Sequence, residues 1–357
     1  MRNFQKPKRL CPGDRVAIIS LSSGLIGEPE LIHRYKTAKT RLENDFGLVV
    51  QPTAHALSGI DFIESHPELR AEDLMNAFLD PDIKAVFCAI GGDDSIRTLP
   101  YVDIDLLREN PKIFMGYSDT TIGHFMMQKA GLVSFYGISV MCELAENVSI
   151  NRYTENAFRR LLFEDSTGFE VESSRVWSKD FIEWKEENSS CPLEYIPETH
   201  GYELISGNGR VRGRLIGGCI DVFMMAAGTK IFPTPEECRG AILLLETSED
   251  KPSPEFYRYT LRNLAAQGIL HEISAIVAGK PQGEVYYEEY KKELVRVVCR
   301  EEGLDIPILY NINIGHAVPV GLLALGAEYE LDCGRKSLTL VESATIQGLM
   351  PDSESFG

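Results

Sequence analysis

Apolar and polar positions along this chain change in blocks rather than residue by residue. Arg15-Val16-Ala17-Ile18-Ile19-Ser20, Leu48-Val49-Val50, Ile83 to Ile90, Lys112 to Met115 and Val133 to Tyr136 are short, nearly continuous apolar runs. Between them apolar residues recur at helical spacing, as Leu31, Tyr35, Ala38 and Leu42 do within Glu30 to Phe46, then across Leu69 to Leu79, then from Thr120 toward Lys129. Apolar strands separated by amphipathic helices predict a parallel sheet covered on both faces. Residues 1–165 are therefore expected to form one α/β unit. From 166 to 206 the pattern breaks into a long connection that holds both tryptophans, Trp177 and Trp184. Connections of that length are usually functional or disordered.

Residues 207–347 resume with close-packed glycines in Gly213-Arg214-Leu215-Ile216-Gly217-Gly218, leading to a helix through Ala227. Strands are predicted at 240–246, 275–279 and 308–310, helices at 253–267 and 286–302, and closing β-strands at 326–331 and 337–341. A tail follows over 348–357. The fold class is thus α/β, an N-terminal parallel-sheet unit plus a C-terminal α/β unit. A length of 357 residues agrees with two units, since one core rarely grows that large.

Charge narrows the partners. Lys plus Arg number 36 and Asp plus Glu 53, a balance of −17, which repels nucleic-acid backbones and anionic membranes but admits a small charged ligand. The N-terminus is basic without an apolar stretch behind it, so no secretory signal is expected, and no run has transmembrane length. Eight cysteines are scattered without a C-x-x-C pair, several in apolar surroundings, which reads as reduced thiols in a cytoplasm and no zinc site.

Three positions carry the chemistry. Ser118 follows Gly116 on a predicted strand-to-helix turn, where a helix N-terminus offers free N–H groups to an oxyanion. Thr120 stands where the G-x-S-x-G pattern has its second glycine, and a plain helix N-cap is the competing reading of the serine. Glu246 ends an apolar strand, and His316 follows Gly315 beyond another strand end. A serine hydroxyl needs a base, and an imidazole base needs a carboxylate to fix its tautomer. The competing readings are a solvated or ion-paired glutamate, a structural histidine, and a simple turn at Gly91-Gly92.

Together these segments resemble the serine peptidase family that contains the LD-carboxypeptidases and the microcin C immunity peptidases. The likeness covers roughly residues 10 to 345. It rests on Ala89-Ile90-Gly91-Gly92-Asp93-Asp94, Gly116-Tyr117-Ser118-Asp119, Gly213 to Gly218, Leu244-Leu245-Glu246, Gly279-Lys280-Pro281 and Gly315-His316, in that order. The resemblance implies Ser118 as nucleophile, His316 as base then acid, Glu246 as its orienting carboxylate, and the amides of Gly92 and Asp119 as oxyanion hole. It implies a C-terminal α/β unit rich in β structure, a site in the cleft between the two units, a homodimer, and neither metal nor organic cofactor. Substrate contacts are expected from Gly91, Trp177, Trp184 and Lys280. The segment Val176 to Trp184 looks like the substrate loop of the microcin branch, which cleaves the amide between an aminoacyl or peptidyl carboxyl and a nucleotide. Removal of D-alanine from murein tetrapeptide is the alternative, and a non-catalytic two-domain ligand-binding protein is the alternative from another class.

Overall fold

The computed structural model describes residues 4–348; the expected tail lies, beyond Gly348, outside the described residues. Two sheets organise the chain. The first runs in spatial order Leu323–Leu325, Ser134–Tyr136, Ile113–Gly116, Ile83–Cys88, Arg15–Ile19, Val49–Pro52. Its five N-terminal strands are parallel. The second has eight strands, in the order Glu170–Val171, Ser337–Leu340, Glu328–Asp332, Arg210–Cys219, Ile242–Glu246, Ala275–Gly279, Ile308–Ile312, Glu203–Ser206. Its middle four are parallel and its flanks antiparallel. The chain is a mixed α/β protein with a parallel N-terminal sheet, as the apolar runs predict, and a more β-rich C-terminal half, as the family resemblance implies.

Three elements differ from that reading. The glycine-rich segment before Ala227, to which the sequence reading gives no strand, belongs to a ten-residue strand, Arg210–Cys219. Its glycines hide the strand signal because they serve close approach. A Cβ on Gly218 would lie 2.7 Å from Thr121 Oγ1 and 3.1 Å from the Tyr136 ring, so only glycine lets the second sheet reach the helix behind Ser118. The Cys219 N–H donates to Thr121 Oγ1 at 3.1 Å across the same seam. Leu323–Leu325, from the far end of the chain, completes the first sheet antiparallel to Ser134–Tyr136. The predicted helix over 286–302 is an α-helix, Tyr287–Leu294, that continues as a π-helix over Val295–Glu301.

Two layers of buried apolar side chains each draw on both halves. One joins Val16, Phe87 and Met115 to Leu244 and Val277; the other joins Ile122 and Phe125 to Ile220, Phe223 and Phe232. Burying such side chains contributes roughly 1.5–3 kcal/mol each, so the seam between the halves is part of the core. The parallel strands end at Cys88, Gly116, Glu246 and Ile312, and the candidate site residues follow or occupy those ends. No described helix is long and apolar enough to cross a membrane.

Candidate active site

Ser118 stands at the head of a short 3-10 turn, Ser118–Thr120, that feeds the helix Thr121–Ala130. Its φ is 62°, a left-handed conformation that costs a non-glycine residue roughly 1–2 kcal/mol and that clusters at functional turns. Gly116 makes the turn tight. A Cβ there would sit 2.8 Å from Thr120 Cγ2 and 2.9 Å from Cys88 Cβ, so the room given up by a glycine at 116 is filled by the threonine at 120. The turn is pinned from beneath. Asp119 is fully buried, its Oδ2 accepting the Ser95 N–H at 2.9 Å, while Ser95 Oγ donates to the Asp119 carbonyl at 2.9 Å. Burial raises the Asp119 pKa. Arg70, itself buried, donates to Asp94 at 2.7 Å and to the Leu21 carbonyl at 2.8 Å, holding the loop that carries Gly91 and Gly92. A Cβ on Gly91 would lie 2.9 Å from Ser118 Oγ and 3.6 Å from Asp119 N, so the glycine pair borders the hydroxyl directly.

Glu246 is buried at the end of its strand, and His316 Nδ1 lies 2.8 Å from its Oε2. A carboxylate acceptor fixes the proton on Nδ1 and leaves Nε2 for the cleft. The other carboxylate oxygen accepts from Tyr136 Oη at 2.5 Å, and the same phenol oxygen accepts the Ser118 N–H at 3.2 Å. A single tyrosine thereby ties the serine turn to the acid. Two of the glycines singled out in the sequence seat this carboxylate, since a Cβ on Gly279 would lie 2.8 Å from Glu246 Cβ and one on Gly315 2.8 Å from Glu246 Cδ. The Tyr117 ring packs against the imidazole at 5.0 Å, and its hydroxyl donates to Glu143 at 3.1 Å. Burial lifts the Glu143 carboxyl to about 7 against the hydrogen bonds from Ser139 N–H and Tyr117.

Ser118, His316, Gly91, Gly92 and Trp184 line one cleft of about 910 Å³. Within it His316 Nε2 faces Glu249 Oε2 at 3.1 Å, and no hydrogen bond joins it to Ser118. A carboxylate outcompetes a neutral hydroxyl for the N–H of a charged imidazole. Burial by itself pushes His316 down, but the carboxylates of Glu246 and Glu249 outweigh it and raise the imidazole well above its ordinary value. Among the described residues no group of three or more His, Cys, Asp or Glu is arranged to hold a metal ion.

Two family models match the chain, the LD-carboxypeptidase N-terminal domain over residues 16–137 and the LD-carboxypeptidase C-terminal domain over 212–331. The chain belongs to the LD-carboxypeptidase family. It is 28% identical to the microcin C7 self-immunity protein MccF of Escherichia coli, over 76% of this chain and 78% of that protein. It is 26% identical to a Bacillus subtilis protein named "Probable murein peptide carboxypeptidase", over 97% of each. Among solved structures, an MccF-like protein from Streptococcus pneumoniae in complex with AMP superposes with a TM-score of 0.84 at 34% identity, covering 92% of this chain and 98% of that one.

Within this LD-carboxypeptidase framework the structure gathers Ser118, Glu246, His316, Gly91, Gly92 and Trp184, but not Trp177 or Lys280. Trp177 is buried on a short strand paired with Ile196–Pro197, outside the cleft lining, and the Lys280 ammonium lies 4.3 Å from its ring centroid. Lys280 is 1% exposed and paired with Glu198 at 2.9 Å and Glu284 at 2.5 Å, so its charge is already neutralised away from solvent. Both anchor the connection to the second sheet. Trp184 does line the cleft, with one face covered by the Arg34 guanidinium at 4.5 Å. Tyr136, Tyr117, Glu143 and Glu249 are not among the residues predicted from sequence. Tyr136 alone carried a signal, as a polar group ending a buried strand beside the serine strand; an exposed loop glutamate such as Glu249 carries none.

Proposed function

We propose that this protein is a serine amidase of the microcin-immunity type, hydrolysing the amide between an aminoacyl or peptidyl carboxyl and a nucleotide. The observation that carries it is the Tyr136–Glu246–His316 relay opening into the cleft that also holds Ser118 and Trp184. Ser118 Oγ attacks the amide carbonyl carbon as its proton passes to His316 Nε2. The oxyanion is held by the N–H groups of Gly92 and Asp119, each donor worth roughly 2.7–4 kcal/mol to the transition state. His316 then protonates the departing nitrogen, the C–N bond breaks, and an acyl-serine remains. Water, losing its proton to His316, attacks that ester, the bond to Ser118 Oγ breaks as His316 returns the proton to that oxygen, and the carboxylic acid leaves. In this reading 1–165 supplies the nucleophile, 207–347 the base and acid, and 166–206 the substrate loop of a homodimer.

The nucleotide side is favoured by Trp184, whose ring flanks the cleft with Phe181 6.4 Å away. The ligands bound in two solved structures agree, AMP in the Streptococcus pneumoniae protein and aspartyl sulfamoyl adenosine in MccF, whose structure superposes over 96% of this chain at 25% identity. An aromatic side chain stacked on a base contributes roughly 1–3 kcal/mol. Trp184→Ala is therefore expected to lower kcat/KM about tenfold on aminoacyl sulfamoyl adenosine while changing murein tetrapeptide turnover less than about twofold. Equal losses on the two would remove the stacking role.

Incubating the pure protein with both substrates tests the reading itself. D-alanine release alone would assign it to murein peptides instead. Gly91→Ala is expected to slow turnover about 100-fold by displacing the serine hydroxyl, and to lower the melting temperature because the added methyl would lie 2.7 Å from Ser118 Cβ. Fluorophosphonate labelling should slow in parallel, and undiminished labelling would show that the hydroxyl tolerates the added methyl.

A further inference from the structure

The imidazole is engaged at both nitrogens. Glu246 Oε2 lies 2.8 Å from Nδ1, and Glu249 Oε2 lies 3.1 Å from Nε2, the nitrogen that must take the serine proton. The two carboxylates are held differently. The Glu246 side chain is 1% exposed, bonded to Tyr136 and seated against Gly279 and Gly315. Glu249 rides the loop between the strand Ile242–Glu246 and the helix Pro254–Ala266, and its side chain is 60% exposed. A carboxylate on Nε2 contributes to no step of acyl transfer. While it stays, the base has no free lone pair.

We propose that Glu249 accepts the α-ammonium group of an aminoacyl substrate, and that without substrate it holds His316 charged and unable to act as base. The inference rests on the hydrolase reading above. The imidazolium is the cation that Glu249 meets in this structure, and whatever draws Glu249 away must replace that charge. Its surroundings offer little substitute, because Asp250, Asp180 and Glu143 also line the cleft. Arg34 is committed elsewhere, donating to the Met141 carbonyl at 2.7 Å and covering Trp184. Lys251, on the same loop, is the internal competitor.

The groups facing the imidazole are Glu246 from its strand, Glu249 from the loop, and Tyr117 from the serine turn, with Tyr136 and Glu143 one bond further out. None of these five is cationic. The contact with His316 holds the Glu249 carboxyl well below its ordinary range, and the imidazole is raised in return. An ammonium that pairs with Glu249 frees Nε2 for Ser118, so binding of the correct substrate switches the base on. An Nα-acylated substrate, a peptidyl nucleotide included, lacks that charge and frees the base less readily.

Glu249→Gln and Glu249→Ala test this through the pH dependence of kcat/KM, measured on aminoacyl sulfamoyl adenosine and on its Nα-acetyl derivative. Removing Glu249 lowers the free-enzyme imidazole pKa, so the acid limb is expected to move down by about one pH unit or more. Wild-type protein should prefer the free amine by about tenfold or more, and both variants should lose most of that preference. An unmoved acid limb, or a preference that survives in both variants, overturns the proposal. A turnover-independent readout separates it from the hydrolase reading. In Ser118→Ala protein with 13C-labelled histidine, the His316 resonance should titrate at lower pH after Glu249→Gln, and also when the free-amine ligand binds but not when the acetylated one does. If nothing is hydrolysed, the hydrolase reading fails while this titration still decides what Glu249 does.

Discussion

Ser118→Ala is expected to reduce turnover by about 10⁴-fold or more while the protein melts within about 1 °C of wild type. The two outcomes have separate causes. The hydroxyl is the reacting group, but Ser118 contributes to the fold through its backbone, whose N–H donates to Tyr136 and whose carbonyl accepts from Thr121 Oγ1 at 2.7 Å. Alanine keeps both contacts and the same left-handed strain. Ser118→Gly should be equally inactive yet up to about 1 kcal/mol more stable, because glycine relieves a φ of 62°. Kinetics, thermal melts and fluorophosphonate labelling of the two variants check this. Residual hydrolysis above about one part in a hundred in Ser118→Ala would take the nucleophile role away from the serine.

Glu246→Gln should cost about 10⁴-fold in kcat, the size seen when the orienting acid of a serine protease becomes an amide. The carboxylate has two acceptor oxygens and two donors, Tyr136 Oη and His316 Nδ1–H. Glutamine can accept from only one of them with its carbonyl. If the carbonyl keeps the tyrosine, the NH2 group faces Nδ1 and drives the imidazole proton to Nε2, the wrong tautomer for a base. Loss of the negative charge also lowers the imidazole pKa, since Glu246 is the larger of the two carboxylate effects that raise it. The residue count and shape are unchanged, so melting should shift little. Near-normal kcat in a folded Glu246→Gln protein would place the orienting role elsewhere, and Glu249 would be the first residue to examine.

How much of this was legible follows from the kind of signal each element carries. Buried parallel strands such as Ile83–Cys88 and Ile242–Glu246 announce themselves, because both faces are covered and every position must be apolar. Polar residues at the ends of such strands stand out for the same reason, which is why Ser118, Glu246 and His316 were readable as a set. The strand Arg210–Cys219 was not, since its glycines answer to Thr121 and Tyr136 across the seam rather than to local β-propensity. Leu323–Leu325 is three residues long, too short for any period to show that it pairs with Ser134–Tyr136. The family likeness of the segments that carry them draws Trp177 and Lys280 toward the cleft. Tertiary packing put them together instead, a buried cation on a buried ring, with Glu198 and Glu284 closing the charge.

The order of apolar and polar blocks determined the α/β class, the parallel pairing and the chemical identities available at the strand ends, because these depend on burial patterns set within a few residues. Which side chains share one cleft, that Tyr136 joins the serine turn to Glu246, and that Glu249 covers the base were decided only by the folded chain. Those contacts span separations of up to 110 residues and depend on distances of about 3 Å, which no local pattern encodes.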